Sequence, residues 1–322
     1  VVLLAHKLAS AKCRFCTMMR LIVAVLFVHR GDAREAPACA GCVTPQVWAD
    51  ALESADALIN AAPAQHQERC SHLLNGQNRV GFSQAWQDWM LYRNFFAGQT
   101  QGLYLDIGTN NPLELSNTAF FDQCLKWRGV CFEPQMMFHA SIRRQRNCQL
   151  VPNCVLGRAA NVTMTGANTG RTVRLSSRGG THCVGILETL EGLGLGQSVV
   201  DLMSIDIEGA EADVLRCFPF DKIHVRFVLI ETNKHDMRKV DGFFSAHGFA
   251  NMATFPGFDT RQGAWGLDNL YMRNPLVPPP GVHTSTNCSK QDLKIDPWCG
   301  PFRHHKLLSE PWGRCKERFR RR

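Results

Sequence analysis

The chain has 322 residues, 45% of them hydrophobic and 20% charged, an ordinary composition for one principal globular domain with smaller ends. Its formal charge of +8 invites an anionic partner, but much of the excess crowds into Arg314, Lys316, Arg318, Arg320, Arg321 and Arg322. That run reads first as a solvated tail, with acidic glycan, membrane surface or nucleic acid as its other readings, and no basic groove interleaved with aromatics elsewhere supports specific nucleic-acid binding.

From the start of the chain, Leu21 to Val28 is an unbroken apolar run between Arg20 and His29-Arg30, followed by the small residues Ala36, Ala38 and Ala40. It is far short of the roughly 20 residues that span a bilayer, and it suits the apolar segment of a signal peptide. Residues 1–42 are therefore expected to be a leader region, with no spanning segment in the mature chain. The first residue is Val1, so what precedes Met18 or Met19 reads as a fragment or a mis-chosen start. Fourteen cysteines agree with an oxidising compartment, and the secretory pathway or extracellular space is the expected location. Cys13 with Cys16 and Cys39 with Cys42 have the spacing of a zinc site, but the apolar segment between the pairs favours disulfide or free thiol for Cys39, Cys42 and Cys70.

Residues 43–80 are expected to form a helical extension, with Leu52, Ala55, Leu58 and Ile59 on the inner side of a helix from Trp48 to Ile59. Ser83 to Tyr92 reads as an amphipathic helix capped by Ser83. Gly102 to Pro112 then gives a buried strand, Leu103 to Ile107, a glycine turn at Gly108, and a helix from Pro112 carrying Leu115, Ala119, Phe120, Leu125 and Trp127 inward. This unit puts Asp106 and the turn at the carboxyl end of a strand, where open α/β sheets bind ligands. Gly129 to Pro134 repeats it with Glu133 at the strand end, before a helix from Gln135 to Arg146, and Val199 to Ile205 ends in Asp206, Glu208, Gly209 and Glu211.

Between them, Cys148 to Leu156 reads as a third strand and Ala160 to Arg178 as a β-hairpin excursion. His182, in the loop after it, is a candidate base, with a solvated histidine as the alternative. Asp206, Glu208 and Glu211 are close enough in sequence for their charges to raise at least one pKa; Asp206 and Glu208 are assigned to function and Glu211 to helix capping. Val225 to Ile230 is a fifth strand ending at Glu231, with Asn233 and His235 just beyond; a helix over Asp236 to His247 and strands at Phe249 and at Leu270 to Met272 follow. From Pro275 the composition shifts to a Pro- and Cys-rich basic appendage, residues 275–322. Asn161-Val-Thr and Asn287-Cys-Ser are acceptor patterns for N-glycosylation.

The blocks LDIGTNNP, RGVCFEP, PNCVLG and DLMSIDIEGAEADVL, with SQAWQD upstream and FVLIE downstream, resemble in identity and order the FkbM-like family of class I S-adenosylmethionine-dependent methyltransferases. The resemblance spans about residues 83 to 273 and marks residues 81–274 as the methyltransferase domain. It implies a doubly wound Rossmann-like α/β sandwich, a mostly parallel seven-stranded sheet with an antiparallel last strand. It implies S-adenosylmethionine held by Asp106, Gly108, Thr109, Asn110, Glu133, Asn153 and Asp206, with Glu133 on the ribose, Asn153 near the adenine, and Gln84 and Asp88 near the pocket; the other readings are a helix-capping acid for Glu133, a turn residue for Asn153 and a solvated acid for Asp88. Catalysis would fall to Asp206, Glu208, Glu231 or His182, with His235 in reserve. The expected activity is O-methylation of a hydroxyl on a small molecule or glycan. Asp206, Glu208 and Glu231 could supply oxygen ligands for a divalent ion, but carboxylates at strand ends also serve without one, and no metal is assigned. A nicotinamide-dependent oxidoreductase fits less well because Gly-Thr-Asn-Asn-Pro lacks the three-glycine phosphate cradle. A secreted non-catalytic binding module is the reading from outside enzymes.

Overall fold

A computed structural model describes residues 43–77, 81–165, 172–175, 180–216, 218–233, 235–259 and 263–273. The expected leader, the appendage from 275, and Cys13, Cys16, Cys39, Cys42 and Asn287 lie outside the described residues.

Helix α1 (Pro45–Ala61) starts where the Thr44 side chain accepts the Val47 N–H, with proline in its first turn. It buries Ala51 and Ala55, whereas Leu52, expected inside, is exposed. After α2 (Gln67–Leu74), the helix expected from Ser83 begins only at Gln87, because Trp86 is left-handed at φ 62°. This α3 (Gln87–Leu91) passes directly into a π turn, Tyr92–Phe96. Then come β1 (Leu103–Ile107), α4 (Ala119–Gln123), β2 (Arg128–Phe132), α5 (Met136–Gln145) and β3 (Gln149–Val151). The helix expected from Pro112 is confined to α4: the Asn111 Oδ1 accepts the N–H groups of Leu113 and Glu114 in a tight turn, and Leu115 is left-handed and exposed.

The third expected strand divides at Pro152, which has no N–H to give a ladder. β3 joins the main sheet, while β4 (Cys154–Leu156) joins β5 (Ala160–Thr165), β6 (Thr172–Leu175) and β7 (Thr181–Gly185) in a second sheet ordered β4-β7-β5-β6. The chain continues through α6 (Ile186–Gly192), β8 (Val199–Ile205), α7 (Glu211–Arg216), β9 (His224–Glu231), α8 (Met237–Ala246), β10 (Phe249–Asp259) and β11 (Gly263–Arg273). The main sheet has seven strands in the order β10-β11-β9-β8-β1-β2-β3. Its β3, β2, β1, β8 and β9 are parallel, and β11 runs antiparallel to both β9 and β10. This is the doubly wound, mostly parallel architecture expected, with its antiparallel last strand, and order reverses between β1 and β8.

Strand alternation sends β1 to two cores. Leu105 and Ile107 pack with Phe132, Met203, Ile205 and the apolar faces of α7 and α8. Tyr104 faces the other way, into Phe120, Phe121, Leu202 and the helices of the extension. Each fully buried Phe or Leu of this kind contributes about 1.5–3 kcal/mol. Disulfides Cys70–Cys124, Cys131–Cys148 and Cys154–Cys183 tie α2 to α4, β2 to the approach of β3, and β4 to β7. Cys70 is therefore paired. By chain entropy each cross-link is worth about 3–4 kcal/mol.

Candidate active site

At the exit of β1, Gly108 adopts φ 91°, and a Cβ there would collide with the Asp206 carbonyl oxygen; glycine lets the turn lie against the end of β8. The turn is then fastened to β2. The N–H groups of Gly108 and Thr109 donate to the Phe132 carbonyl at 3.0 and 3.2 Å, and that of Asn110 donates to the Glu133 carboxylate at 2.7 Å. The other Glu133 oxygen accepts the Gln135 N–H at 2.7 Å. Burial pushes the Glu133 carboxyl above its ordinary range, against the pull of these two N–H groups.

Beside Glu133, the Asn110 Oδ1 and the Gln135 Oε1 are buried with no hydrogen-bond partner among the described residues. Buried acceptors are rarely left unmatched, and these two orphans flank the Glu133 carboxylate that holds both residues' N–H groups. Both residues, with Gly108, Thr109 and Glu133, line a cavity of about 590 Å³ that opens over the carboxyl ends of β1, β2 and β8.

Part of the lining is acidic. Asp206, Glu208 and Glu231 supply it, and Gln84 and Asn233 line the cavity as well. Glu208 is left-handed at φ 61°, and the Glu231 Oε1 accepts the Asn233 Nδ2–H at 2.8 Å. Behind them, Asp268 of β11 stands opposite Glu231 in register and accepts the Gln87 side chain at 2.6 Å. Burial, then the charges of Glu231, Asp268, Glu208 and Glu211, push Asp206 well above the usual carboxylate range. Burial likewise pushes Asp268 up to about 6.

Glu211 takes a different part: it accepts the N–H groups of Ile207 and Gly209, both at 3.0 Å, and meets the His235 Nε2 at 2.7 Å. Burial raises its pKa, but these hydrogen bonds prevail and hold it below the ordinary value. Oxygens of Asp206, Glu211 and Glu231 lie within 4.8 Å of one another, a donor set suited to a hard divalent ion, although Glu211 is already committed to its loop and to His235.

Three residues assigned from the sequence are not brought to the cavity. Asp106 shares a face of β1 with Tyr104, so its carboxylate turns under the sheet, bonding Thr118 Oγ1 at 2.7 Å and Arg146 at 3.4 Å. His182 is exposed on β7 and meets the Asn161 side chain at 3.1 Å, because alternation gives the inward place to Cys183. Asn153 lies in the β3–β4 link with its amide toward the His182 carbonyl, outside the cavity lining. Asp88, also expected near the pocket, is buried and accepts the N–H groups of Phe82 and Ser83.

Sequence reasoning passed over Arg146 and Asp268. Arg146 is fully buried and reaches Asp122 at 2.8 Å, Asp106, the Tyr104 hydroxyl, Thr118 and the Pro112 carbonyl. It follows Arg143 and Arg144 at a helix end, and nothing in the sequence separates the buried guanidinium from the two solvated ones. Asp268 carried a faint signal, an acid on the approach to the apolar Leu270-Tyr271-Met272.

Residues 106–250 match the family model of the methyltransferase FkbM domain. Among solved structures, a protein of Pyrococcus horikoshii described as an RNA methyltransferase matches at 11% identity and TM-score 0.31, over 59% of this chain and 83% of that one. A precorrin-6y C5,15-methyltransferase of Geobacter metallireducens matches at 12% identity and TM-score 0.31, over 54% and 80%. Comparison with curated proteins returns no match.

Proposed function

We propose that this chain, a methyltransferase by the FkbM domain it carries over residues 106–250, binds S-adenosylmethionine in the cavity and methylates a hydroxyl group, with a glycan as the acceptor. Residues 81–274 would form the working domain, with 43–80 as its extension. The carrying observation is the Glu133 wall. A carboxylate has about four acceptor positions; two are taken by the Asn110 and Gln135 N–H groups, which leaves two for adjacent ribose hydroxyls. The orphan Asn110 Oδ1 and Gln135 Oε1 would take further donors of the cofactor. A dinucleotide fits less well, since the Gly108 and Thr109 N–H groups are bound to Phe132 and do not offer a pyrophosphate cradle.

When bound, S-adenosylmethionine supplies a methyl group on a sulfonium, already a strong donor. The chain's own tasks are then alignment and one proton. Gly108, Thr109 and Asn110 give the close backbone approach, and Glu133 fixes the sugar end. Asp206, on the acidic wall, accepts the acceptor hydroxyl's proton at its carboxylate; burial and the neighbouring acids raise its affinity for protons above that of an ordinary carboxylate, which strengthens it as a base. Glu208 and Glu231 flank the acceptor space, and Glu231 helps keep Asp206 basic. Asp106 would act through Arg146 and Thr118, setting the 112–118 loop rather than touching the ligand.

Three disulfides among the described residues support an oxidising compartment, and no described helix is long and apolar enough to cross a membrane. The secretory pathway or the extracellular space is the proposed location. Calorimetric titration of the folded protein with S-adenosylmethionine and, separately, NAD tests the cofactor. Binding of the first alone supports this reading, binding of NAD alone replaces it with an oxidoreductase, and binding of neither leaves a non-catalytic module.

A further inference from the structure

Among the described residues, five non-glycine positions have left-handed backbone: Trp86, Asn110, Leu115, Lys126 and Glu208. Asn110, Leu115 and Glu208 line the cavity, and Trp86 stands two residues after the lining residue Gln84. Such conformations disfavour side chains, and they persist where the surroundings fix them, as at binding sites. Two of them hold large apolar groups out of the core: Trp86 is 50% exposed and Leu115 63%.

The loops bearing these two are joined. Ser116 N–H donates to the Phe82 carbonyl at 2.9 Å, and Glu114, beside Leu115, meets Arg69 at 2.7 Å. On the other side of Trp86, the Gln87 Oε1 accepts the Ala85 N–H at 2.7 Å while its amide grips Asp268 behind the acidic wall. The chain on both sides of Trp86 is thus held, through Phe82 to the Leu115 loop and through Gln87 to Asp268, while Trp86 itself stands outside the cavity lining at the Gln84 end.

We propose that Trp86 and Leu115 form the acceptor platform of this methyltransferase, on which the apolar face of an uncharged sugar ring packs while Gln84, Asn233 and Glu208 receive its hydroxyls. The inference rests on the proposed methyl transfer and names its substrate class. An indole offers a flat apolar face to the C–H face of a sugar ring, and the Leu115 isobutyl group adds apolar area beside it. Carboxamides both donate and accept, as hydroxyls do, whereas an ammonium acceptor only donates. The wall of Asp206, Glu208 and Glu231 repels a carboxylate or sulfate on the acceptor, which selects a neutral sugar over a uronic or sulfated one.

The test uses the whole folded protein, labelled S-adenosylmethionine, and as acceptors the methyl glycosides of galactose, mannose, glucose, fucose and N-acetylglucosamine, with methyl glucuronide and cadaverine alongside. Trp86→Gly suits the left-handed backbone and deletes the ring; Trp86→Phe keeps an aromatic face. Expected are transfer to a neutral glycoside at least about tenfold better than to the glucuronide, a rise of about tenfold in KM in Trp86→Gly at unchanged cofactor affinity, and recovery of most of it in Trp86→Phe. An unchanged KM in Trp86→Gly, equal use of the glucuronide, transfer to cadaverine alone, or cofactor binding with no glycoside methylated would each overturn the platform and leave the cofactor assignment standing. Failure of the wild-type protein to bind the cofactor would instead remove the reading beneath it, and the platform with it.

Discussion

The Glu133 carboxylate accepts the backbone N–H of Asn110 at 2.7 Å, so the residue that ends β2 also fixes the turn that leaves β1. Its replacement therefore has two effects, loss of the proposed ribose acceptors and release of the turn. Glu133→Ala is expected to weaken S-adenosylmethionine binding by about 100-fold, since hydrogen bonds to a charged group are worth about 1.5–3 kcal/mol. Glu133→Gln, which keeps one acceptor oxygen with its two lone pairs, should lose about tenfold. Calorimetry checks both; equal affinity in wild type and Glu133→Ala would refute the ribose assignment.

The sheet was legible because its strands are buried on both faces, which writes near-continuous apolar runs such as Leu103 to Ile107 into the sequence, and because strand ends collect acids. Glu133, Asp206, Glu208 and Glu231 were placed on the cavity wall by that logic. Asp106 was misplaced because sequence position gives a strand end but not the face: the period-2 alternation that points Tyr104 at Arg146 carries Asp106 with it. Loop geometry was the least legible. The left-handed Trp86 and Leu115 shorten two expected helices, and neither residue type signals that conformation.

Arg146 holds Asp122 at 2.8 Å and Asp106 at 3.4 Å with no solvent access. Burial works against its charge, but Tyr104, Asp122 and Asp106 outweigh it and keep the guanidinium protonated. Arg146→Met leaves two buried carboxylates uncompensated and is expected to cost about 3–5 kcal/mol in stability. Arg146→Lys keeps the charge but loses the fork that spans Asp122, Thr118 and the Pro112 carbonyl, so it should recover part of that loss only. Denaturant unfolding of the three proteins gives the comparison, and an Arg146→Met variant as stable as wild type would mean the network is not structurally needed.

Both sulfurs of Cys154–Cys183 belong to residues on the cavity wall, where the cross-link joins β4 to β7. Changing the pair to serine should lower stability by about 3 kcal/mol and loosen that wall. Cofactor affinity is expected to fall with it, by about three- to tenfold. Cys70–Cys124 lies away from the cavity, and its double serine variant should lose comparable stability while binding the cofactor as wild type does. Unfolding curves and titrations of the two double variants separate these effects.

Asp268 carries a sign that stability measurements can read. Burial raises it from 3.8 to about 6, so between those values the folded chain binds more protons than the unfolded one. Stability therefore falls as pH rises through that window, a loss of about 2–3 kcal/mol from this group by pH 7. In Asp268→Asn the fall between pH 4 and pH 7 should be smaller by about that amount, as the neutral amide adds no charge beside Glu231. Chemical unfolding at both pH values measures the difference, and an unchanged slope would show that Asp268 is ionised at no cost.

Asp206 is raised by burial and by the same neighbouring acids, and its effect should appear in rate rather than in stability alone. A base must be ionised to take the acceptor proton, so methyl transfer is expected to rise with pH through an acidic limb set well above 3.8, the ordinary value of the group. Asp206→Asn should lose about 100-fold or more in kcat and flatten that limb, while cofactor affinity stays within about threefold, because the amide keeps the shape and hydrogen-bonding capacity of the wall. Glu231→Gln keeps the proposed base but withdraws the charge that, after burial, raises it most. Its limb should therefore move to lower pH with kcat at the plateau largely retained. Rate profiles from pH 4 to pH 9 for the three proteins decide the assignment: a limb that persists in Asp206→Asn, or that stays in place in Glu231→Gln, would assign the proton to another group on the wall.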